Sequence, residues 1–147
     1  MIRAFDLSEM EFVFGSDGLL KQKFDHFEPR NEQLQMARAC QSAIKKNHHL
    51  AVEAGTGVGK SFAYLVPAIE SAARSGKKIL ISTFTINLQE QLINKDLPFL
   101  ADALPLPFTA ELAKGRSNYI CMRRLDFAIK RQKGLFDKTY SELISLQ

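Results

Sequence analysis

The chain has little cysteine, few prolines and no long apolar run among its 147 residues. Cys40 and Cys121 are the two cysteines and lie far apart, so no disulfide framework or metal-ligand spacing is present within the sequence. No apolar run approaches the roughly 20 residues needed to span a bilayer. Residues 1–6 lack the apolar core of a signal peptide. We therefore expect a cytoplasmic protein in a reducing environment, with no membrane partner.

Internal repeats and low-complexity stretches are also missing. The composition, with 46% hydrophobic and 24% charged residues, is typical of a globular protein. The length suits one domain with a core better than two domains. The net charge of +4 permits an anionic partner without identifying one, and the oligomeric state is not indicated.

Residues 53–61, Glu-Ala-Gly-Thr-Gly-Val-Gly-Lys-Ser, predict a phosphate-binding loop (P-loop). Glycines at alternate positions let backbone N–H groups turn inward toward phosphate oxygens. Lys60 can reach the β- and γ-phosphates of a nucleotide, and the Ser61 hydroxyl can ligate Mg²⁺. The strict motif has glycine at position 54, so a glycine-rich turn before a chance Lys-Ser is the alternative. The predicted nucleotide contacts are Ala54, Gly55, Thr56, Gly57, Val58, Gly59, Lys60 and Ser61.

Strands and helices are predicted to alternate around this loop. Strands are predicted over 49–53, 78–83 and 108–113. Helices are predicted over 8–14, 31–46, 60–74, 87–97, 118–133 and 140–146, with a possible kink or early end at Pro67 and an end at Pro98. This alternation predicts an α/β fold with a parallel sheet and helices on both faces.

Two segments beside the loop carry further candidate ligands. Gln33 can form a bidentate pair with adenine, and Phe27 could stack on the base; an exposed helix position is the alternative for Gln33. Hydroxyl and amide side chains after the second strand suit contacts with DNA phosphates. Helix capping by Thr85 or Asn87 is a compatible alternative. The predicted DNA-binding residues are Thr83, Thr85, Asn87 and Gln91.

The order Arg-x-x-Gln, Ala-Gly-Thr-Gly-x-Gly-Lys-Ser and Ser-Thr-x-Thr-x-x-Leu-Gln-x-Gln-Leu resembles superfamily 2 helicases. The resemblance is strongest to DinG/XPD-type iron–sulfur helicases of the bacterial DinG branch, in which alanine at position 54 is normal. It implies a RecA-like P-loop fold and an ATP-dependent 5′ to 3′ DNA helicase that uses ATP and Mg²⁺ on single-stranded or branched DNA. Arg30 and Gln33 would sense adenine, Lys60 would be the catalytic contact, and residues 83–91 would grip single-stranded DNA.

The resemblance also implies an iron–sulfur region. In such helicases Lys-Gly-Arg-x-Asn-Tyr-x-Cys leads into the cluster domain, so Cys121 would be its first ligand, whereas a buried core thiol is the alternative. A [4Fe–4S] cluster needs four thiolates, and no cysteine follows Cys121, so we expect no cluster to assemble in this chain. Residues 1–113 would be the first part of the motor domain and 114–147 the start of the insertion.

Other features depart from the family pattern. An Asp-Glu-x-His box and a second motor domain are not in the sequence, so we expect an N-terminal part that binds ATP without hydrolysing it alone. Phe84 stands where the pattern has histidine; phenylalanine could stack on a base but cannot donate a hydrogen bond. A non-catalytic nucleotide- or DNA-binding module, or another P-loop NTPase or kinase, are the alternative functions.

The stretch from Lys114 to Lys133 is strongly basic and fits a DNA role, although a solvated helix face is equally compatible with it. Its cations, against the single acid Asp126, are Lys114, Arg116, Arg123, Arg124, Lys130, Arg131 and Lys133.

Overall fold

A computed structural model describes residues 9–24 and 26–131. The chain divides into two compact units between Glu111 and Leu112. This division lies beside the boundary predicted after residue 113. The identities of the two parts, a motor domain and an insertion, stay predictions.

Helices account for all the regular structure in the two described ranges. The first unit contains α1 (Met10–Phe14), α2 (Leu19–Lys23), α3 (Asn31–Lys46), α4 (Lys60–Ser75), α5 (Ile86–Gln91), a π-helical turn (Leu92–Asp96) and α6 (Leu97–Ala103). The second unit contains a 3₁₀ turn (Arg116–Asn118) and α7 (Met122–Arg131). None of these helices is long and apolar enough to cross a bilayer.

The two long helices, α3 and α4, agree with the predicted bounds to within one residue. α3 follows Pro29 and an extended Arg30, and it ends at Asn47 in the left-handed conformation. α4 begins after Gly59 and ends at Gly76. Pro67 does not end α4. Its ring is fully buried, and this packing offsets the hydrogen bond that a proline removes from a helix.

The hydrophobic core of the first unit lies between α4 and the helices around it. α3 packs mainly against α4, and each contributes an alanine with no exposed surface, Ala37 and Ala63. Val13 of α1, Leu20 of α2 and Leu100 of α6 are equally buried in the same cluster. Burial of these apolar side chains positions α3 beside the start of α4.

The three predicted strands do not form in the described residues, so the parallel sheet is not confirmed. A strand requires a hydrogen-bonded neighbour, and the segments 49–53, 78–83 and 108–113 form no ladder with one another. Their apolar side chains consequently stay exposed: Leu50 is 43% exposed, Val52 44% and Leu80 90%.

The helix predicted to end at Pro98 instead continues to Ala103. Within the π-helical turn the Leu97 N–H donates to the carbonyl oxygen of Leu92, five residues earlier. Pro98 then lies at the start of α6, where a backbone N–H is not required. The π-helical turn therefore admits a proline that would interrupt a regular α-helix.

The remaining helix predictions are less accurate. α2 was not predicted, because Asp17-Gly18 indicated only a turn. α1 begins at Met10, while residue 8, where the predicted helix starts, lies outside the described residues; α7 begins at Met122 rather than at 118, after the 3₁₀ turn. The helix predicted over 140–146 lies outside the described residues.

Candidate nucleotide-binding site

The predicted P-loop runs directly into the N-terminus of α4. Gly57 and Gly59 have φ angles of 83° and 81°, a conformation that residues with a Cβ rarely adopt. No side chain caps the helix at Gly59. The first N–H groups of α4 therefore remain available to phosphate oxygens, at the positive end of the helix dipole.

Lys60, the first residue of α4, is folded back onto this loop. Its Nζ donates to the carbonyl oxygens of Ala54 at 2.9 Å and Gly55 at 2.8 Å. Phosphate oxygens are stronger acceptors for an ammonium group than neutral carbonyls. An arriving triphosphate can thus draw the exposed Lys60 side chain from the loop carbonyls without leaving a buried group unsatisfied.

α3 contacts the carbonyl side of the same loop. Arg30 Nη1 donates to the carbonyl oxygen of Gly57, and Gln33 Nε2 donates to that of Gly59 at 3.0 Å. The Gln33 side chain is 3% exposed, so the alternative of an exposed helix position is wrong. Neither loop contact is predictable from a local sequence pattern, because each joins residues more than 20 positions apart. Contact of Arg30 and Gln33 with adenine stays a prediction.

Phe27 lies in the hydrophobic core rather than at the loop surface. Its side chain is 7% exposed. Stacking on a base requires an open ring face, so the structure does not support the prediction that Phe27 stacks on adenine. The Phe27 ring instead packs in the core and thereby anchors the segment that precedes α3.

The predicted magnesium ligand, Ser61, is half-buried in the first turn of α4. Its side chain is hydrogen-bonded to Tyr64, one turn later. Burial raises the pKa of the Tyr64 phenol, the Ser61 hydrogen bond lowers it, and the nearby carboxylate of Asp96 raises it. Asp96 is itself buried and accepts a 3.1 Å hydrogen bond from Gln91 Nε2.

A cleft of about 390 Å³ lies between α3 and the residues that enter the P-loop. Its lining includes Glu32, Met36, Val52, Ala54 and Val58. The volume is within the usual range for ligand pockets. Of the predicted nucleotide contacts, Ala54, Gly55 and Val58 line it, whereas Gln33, Lys60 and Ser61 do not.

The predicted DNA-binding residues lie just before α5 and within it. Thr85 Oγ1 accepts the Leu88 N–H at 3.3 Å, which confirms the capping interpretation. Thr83 Oγ1 donates weakly to the Thr85 carbonyl at 3.4 Å. Asn87 is exposed, whereas Gln91 is bound to Asp96. Their contact with DNA phosphates stays a prediction.

The second unit places Cys121 at the surface, immediately before α7. The interpretation of Cys121 as a buried core residue is therefore wrong. Among the described residues no three His, Cys, Asp or Glu side chains are grouped as a metal site. The two cysteines of the sequence cannot supply four thiolates, so the residues present do not fit a [4Fe–4S] cluster.

The basic stretch is largely exposed where it is described. Arg123, Arg124 and Lys130 of α7 are exposed. Lys130 pairs with Asp126 at 2.8 Å, one turn away. This arrangement is that of a solvated helix face, and it is equally compatible with a role in DNA binding.

Comparison with known proteins decides the family. Residues 32–125, which include Gln33, the P-loop and α4 to α6, match the DEAD/DEAH box helicase family. The chain belongs to this family. Membership implies the P-loop NTPase fold and confirms that part of the fold prediction. No solved structure matches the chain.

Several relatives in this family carry names of DNA enzymes. The chain is 49% identical over 117 residues to the ATP-dependent DNA helicase YoaA of Haemophilus influenzae, an alignment covering 80% of this chain and 18% of that protein. Identity to YoaA of Escherichia coli is 48% over 113 residues, covering 77% of this chain and 17% of that protein. Identity to the 3'-5' exonuclease DinG of Bacillus subtilis is 34% over 123 residues, covering 84% and 13%. The chain spans less than a fifth of these relatives' length.

Proposed function

We propose that this chain supplies the ATP-binding part of a cytoplasmic, ATP-dependent DNA helicase similar to YoaA and DinG. The observation that carries the proposal is the contact of α3 with the P-loop. Arg30 and Gln33 donate hydrogen bonds to the carbonyls of Gly57 and Gly59, the two P-loop glycines with positive φ, directly before the uncapped start of α4. With its carbonyls held, the loop directs its N–H groups toward a bound anion.

ATP would replace the present contacts of Lys60. The β- and γ-phosphates would accept hydrogen bonds from the loop N–H groups and the first turn of α4. Lys60 would exchange the carbonyls of Ala54 and Gly55 for phosphate oxygens. Ser61 would release Tyr64 and hold Mg²⁺, which neutralises phosphate charge. Segments 49–53 and 78–83 would pair in the parallel sheet of a motor domain.

Hydrolysis requires more than this binding geometry. A water must be oriented and the charge of the transition state neutralised. We propose that these groups come from other parts of a longer protein, and that single-stranded or branched DNA is the partner that stimulates turnover. Residues 83–91 would contribute part of the DNA contact.

The first experiment measures ATP binding to the 147-residue chain with a fluorescent ATP analogue. Lys60→Ala should weaken binding by at least about tenfold, because it removes the ammonium that contacts the phosphates. Lys46→Ala is the matched control: Lys46 is exposed at the far end of α3 and should have no effect. Equal ATP affinities of the wild type, Lys60→Ala and Lys46→Ala would contradict the assignment of this site.

The second experiment tests helicase function in a chimera. The 113-residue segment matched in E. coli YoaA is replaced by the corresponding segment of this chain. The chimera should hydrolyse ATP in response to single-stranded DNA and unwind a duplex, and Lys60→Ala within it should abolish both. ATP binding without turnover would favour a non-catalytic module, and turnover without DNA stimulation would favour another P-loop NTPase or kinase.

A further inference from the structure

Phe84 is the most exposed large hydrophobic residue in the described part of the chain. Its side chain is 101% exposed, so both ring faces are open to solvent. Leaving an aromatic ring in water forgoes the burial energy that such side chains usually provide. A binding partner that covers the ring would recover this burial energy.

The surroundings of Phe84 differ from those of the other exposed apolar residues. Ile79, Leu80 and Ile81 are aliphatic and belong to a predicted strand. Phe84 follows that strand and stands between the hydroxyls of Thr83 and Thr85, just before α5. In open α/β sheets, ligands bind beyond the carboxyl ends of the strands. In the parallel sheet proposed above, Phe84 would thus lie where a ligand is expected.

The charge of the same segment is suited to a polyanion. Residues 77–89 contain Lys77 and Lys78 and no acidic residue. An aromatic ring among hydroxyl, amide and ammonium groups is the combination that binds single-stranded nucleic acid, in which the ring stacks on a base and the polar groups follow the backbone.

We propose that Phe84 is a stacking platform for an unpaired nucleobase of single-stranded DNA. The inference rests on the proposed function, because it takes DNA as the partner, and it assigns the base contact to one residue. Stacking is tolerant of sequence because every base has a π-face. Phe84 would therefore increase affinity for the strand without selecting a base.

The test measures affinity of the 147-residue chain for short oligothymidylate by fluorescence anisotropy. Phe84→Leu keeps an apolar side chain of similar size but removes the aromatic face, and it should lower affinity by about 5- to 150-fold. Phe84→Trp should restore it. A 2-aminopurine base in the oligomer should be quenched by the wild type and by Phe84→Trp, and not by Phe84→Leu.

An abasic oligomer of the same length distinguishes stacking on a base from non-specific binding that does not require a base. The wild type should bind it as weakly as Phe84→Leu binds either oligomer. Leu80→Ala is the matched control, because Leu80 is 90% exposed and not aromatic, and its affinity for both oligomers should equal that of the wild type.

The outcomes distinguish the stacking inference from the proposed function. Wild-type DNA binding with no loss in Phe84→Leu, or an equal loss in Leu80→Ala, would overturn stacking and leave the helicase proposal standing. DNA binding absent from the wild-type chain and no DNA-stimulated ATP hydrolysis in the chimera would overturn both. ATP-analogue binding by each variant verifies that its fold is intact.

Discussion

The side-chain amide of Gln33 donates a 3.0 Å hydrogen bond to the carbonyl oxygen of Gly59, and a Cβ placed on Gly59 would overlap that amide nitrogen. Gly59 also has a φ of 81°. Residue 59 is therefore restricted to glycine for two separate reasons, the backbone conformation and the close approach of Gln33. One contact joins the helix before the loop to the start of the helix after it.

Gly59→Ala should destabilise the chain and weaken ATP binding. The left-handed conformation of a residue with a Cβ costs about 1–3 kcal/mol, and the displaced Gln33 loses its acceptor. Urea denaturation and fluorescent ATP binding measure the two effects. Gly55→Ala is the control, since a Cβ there meets nothing within 4 Å and its φ is not positive; a similar loss of stability in Gly55→Ala would contradict the explanation.

Gln33→Glu should disturb the loop more than Gln33→Ala. Alanine removes one hydrogen bond, worth about 0.5–1.5 kcal/mol, whereas an ionised carboxylate has no donor and faces the Gly59 oxygen. Both variants are expected to weaken ATP binding, with glutamate the weaker binder. Gln35→Ala, exposed on the same helix, should behave like the wild type, and an equal loss there would mean that α3 is generally sensitive.

Glu70→Ala should lower the free energy of unfolding by about 1–3 kcal/mol. Glu70 is 3% exposed and links α4 to α3, since it accepts a 2.8 Å hydrogen bond from Gln41 Nε2 and lies 3.3 Å from Arg74 Nε. Its removal leaves the side-chain amide of Gln41 without its acceptor in a partly buried position.

The control for Glu70→Ala is a substitution in an ion pair that is exposed rather than buried. Asp102 pairs with Lys23 at 3.0 Å, but both side chains are well exposed. Asp102→Ala should change stability by less than about 1 kcal/mol. If urea denaturation gave equal losses for Glu70→Ala and Asp102→Ala, burial would not be the cause.

Cys40 should react with thiol reagents more slowly than Cys121. Cys121 is exposed, whereas burial raises the pKa of the Cys40 thiol above its ordinary value of 9.0, and the thiolate is the reactive form. Labelling followed by mass spectrometry gives the two rates. In urea the rates should converge, and persistent slow labelling of Cys40 would exclude burial as the reason.

The same shift predicts a dependence of stability on alkaline pH. The folded-state pKa of Cys40 is raised above the unfolded value of 9.0. The contribution of the neutral Cys40 thiol to the free energy of unfolding is therefore fully present below the unfolded pKa and is lost as pH rises through the raised folded-state pKa. Cys40→Ala should therefore flatten the fall in stability above pH 9 relative to the wild type. Parallel curves for the two proteins would contradict this prediction.

Local signals account for the features that could be predicted from the sequence. The bounds of α3 and α4 follow from an apolar period of helical spacing, from Pro29 ahead of α3 and from Gly59 and Gly76 around α4. The P-loop is equally local, because its glycines, lysine and serine are contiguous. The family resemblance followed from the order of such short motifs, and the match over residues 32–125 confirms it.

Contacts between distant parts of the chain decided the rest. The sequence suggests that Phe27 could stack on a base, but Phe27 lies in the core, while Gln33 contacts Gly59 across 26 positions. The passage of a helix through Pro98 depends on the π-helical turn Leu92–Asp96.

By itself, the sequence determined the bounds of α3 and α4 and the glycine-rich loop before α4, because helix ends and such loops are governed by neighbours along the chain. Only the tertiary structure decided that α3 holds the loop, that Glu70 is buried, and that residues 78–83 have no strand partner among the described residues. Hydrogen-bond partners and burial come from residues far away in sequence, which a local pattern does not contain.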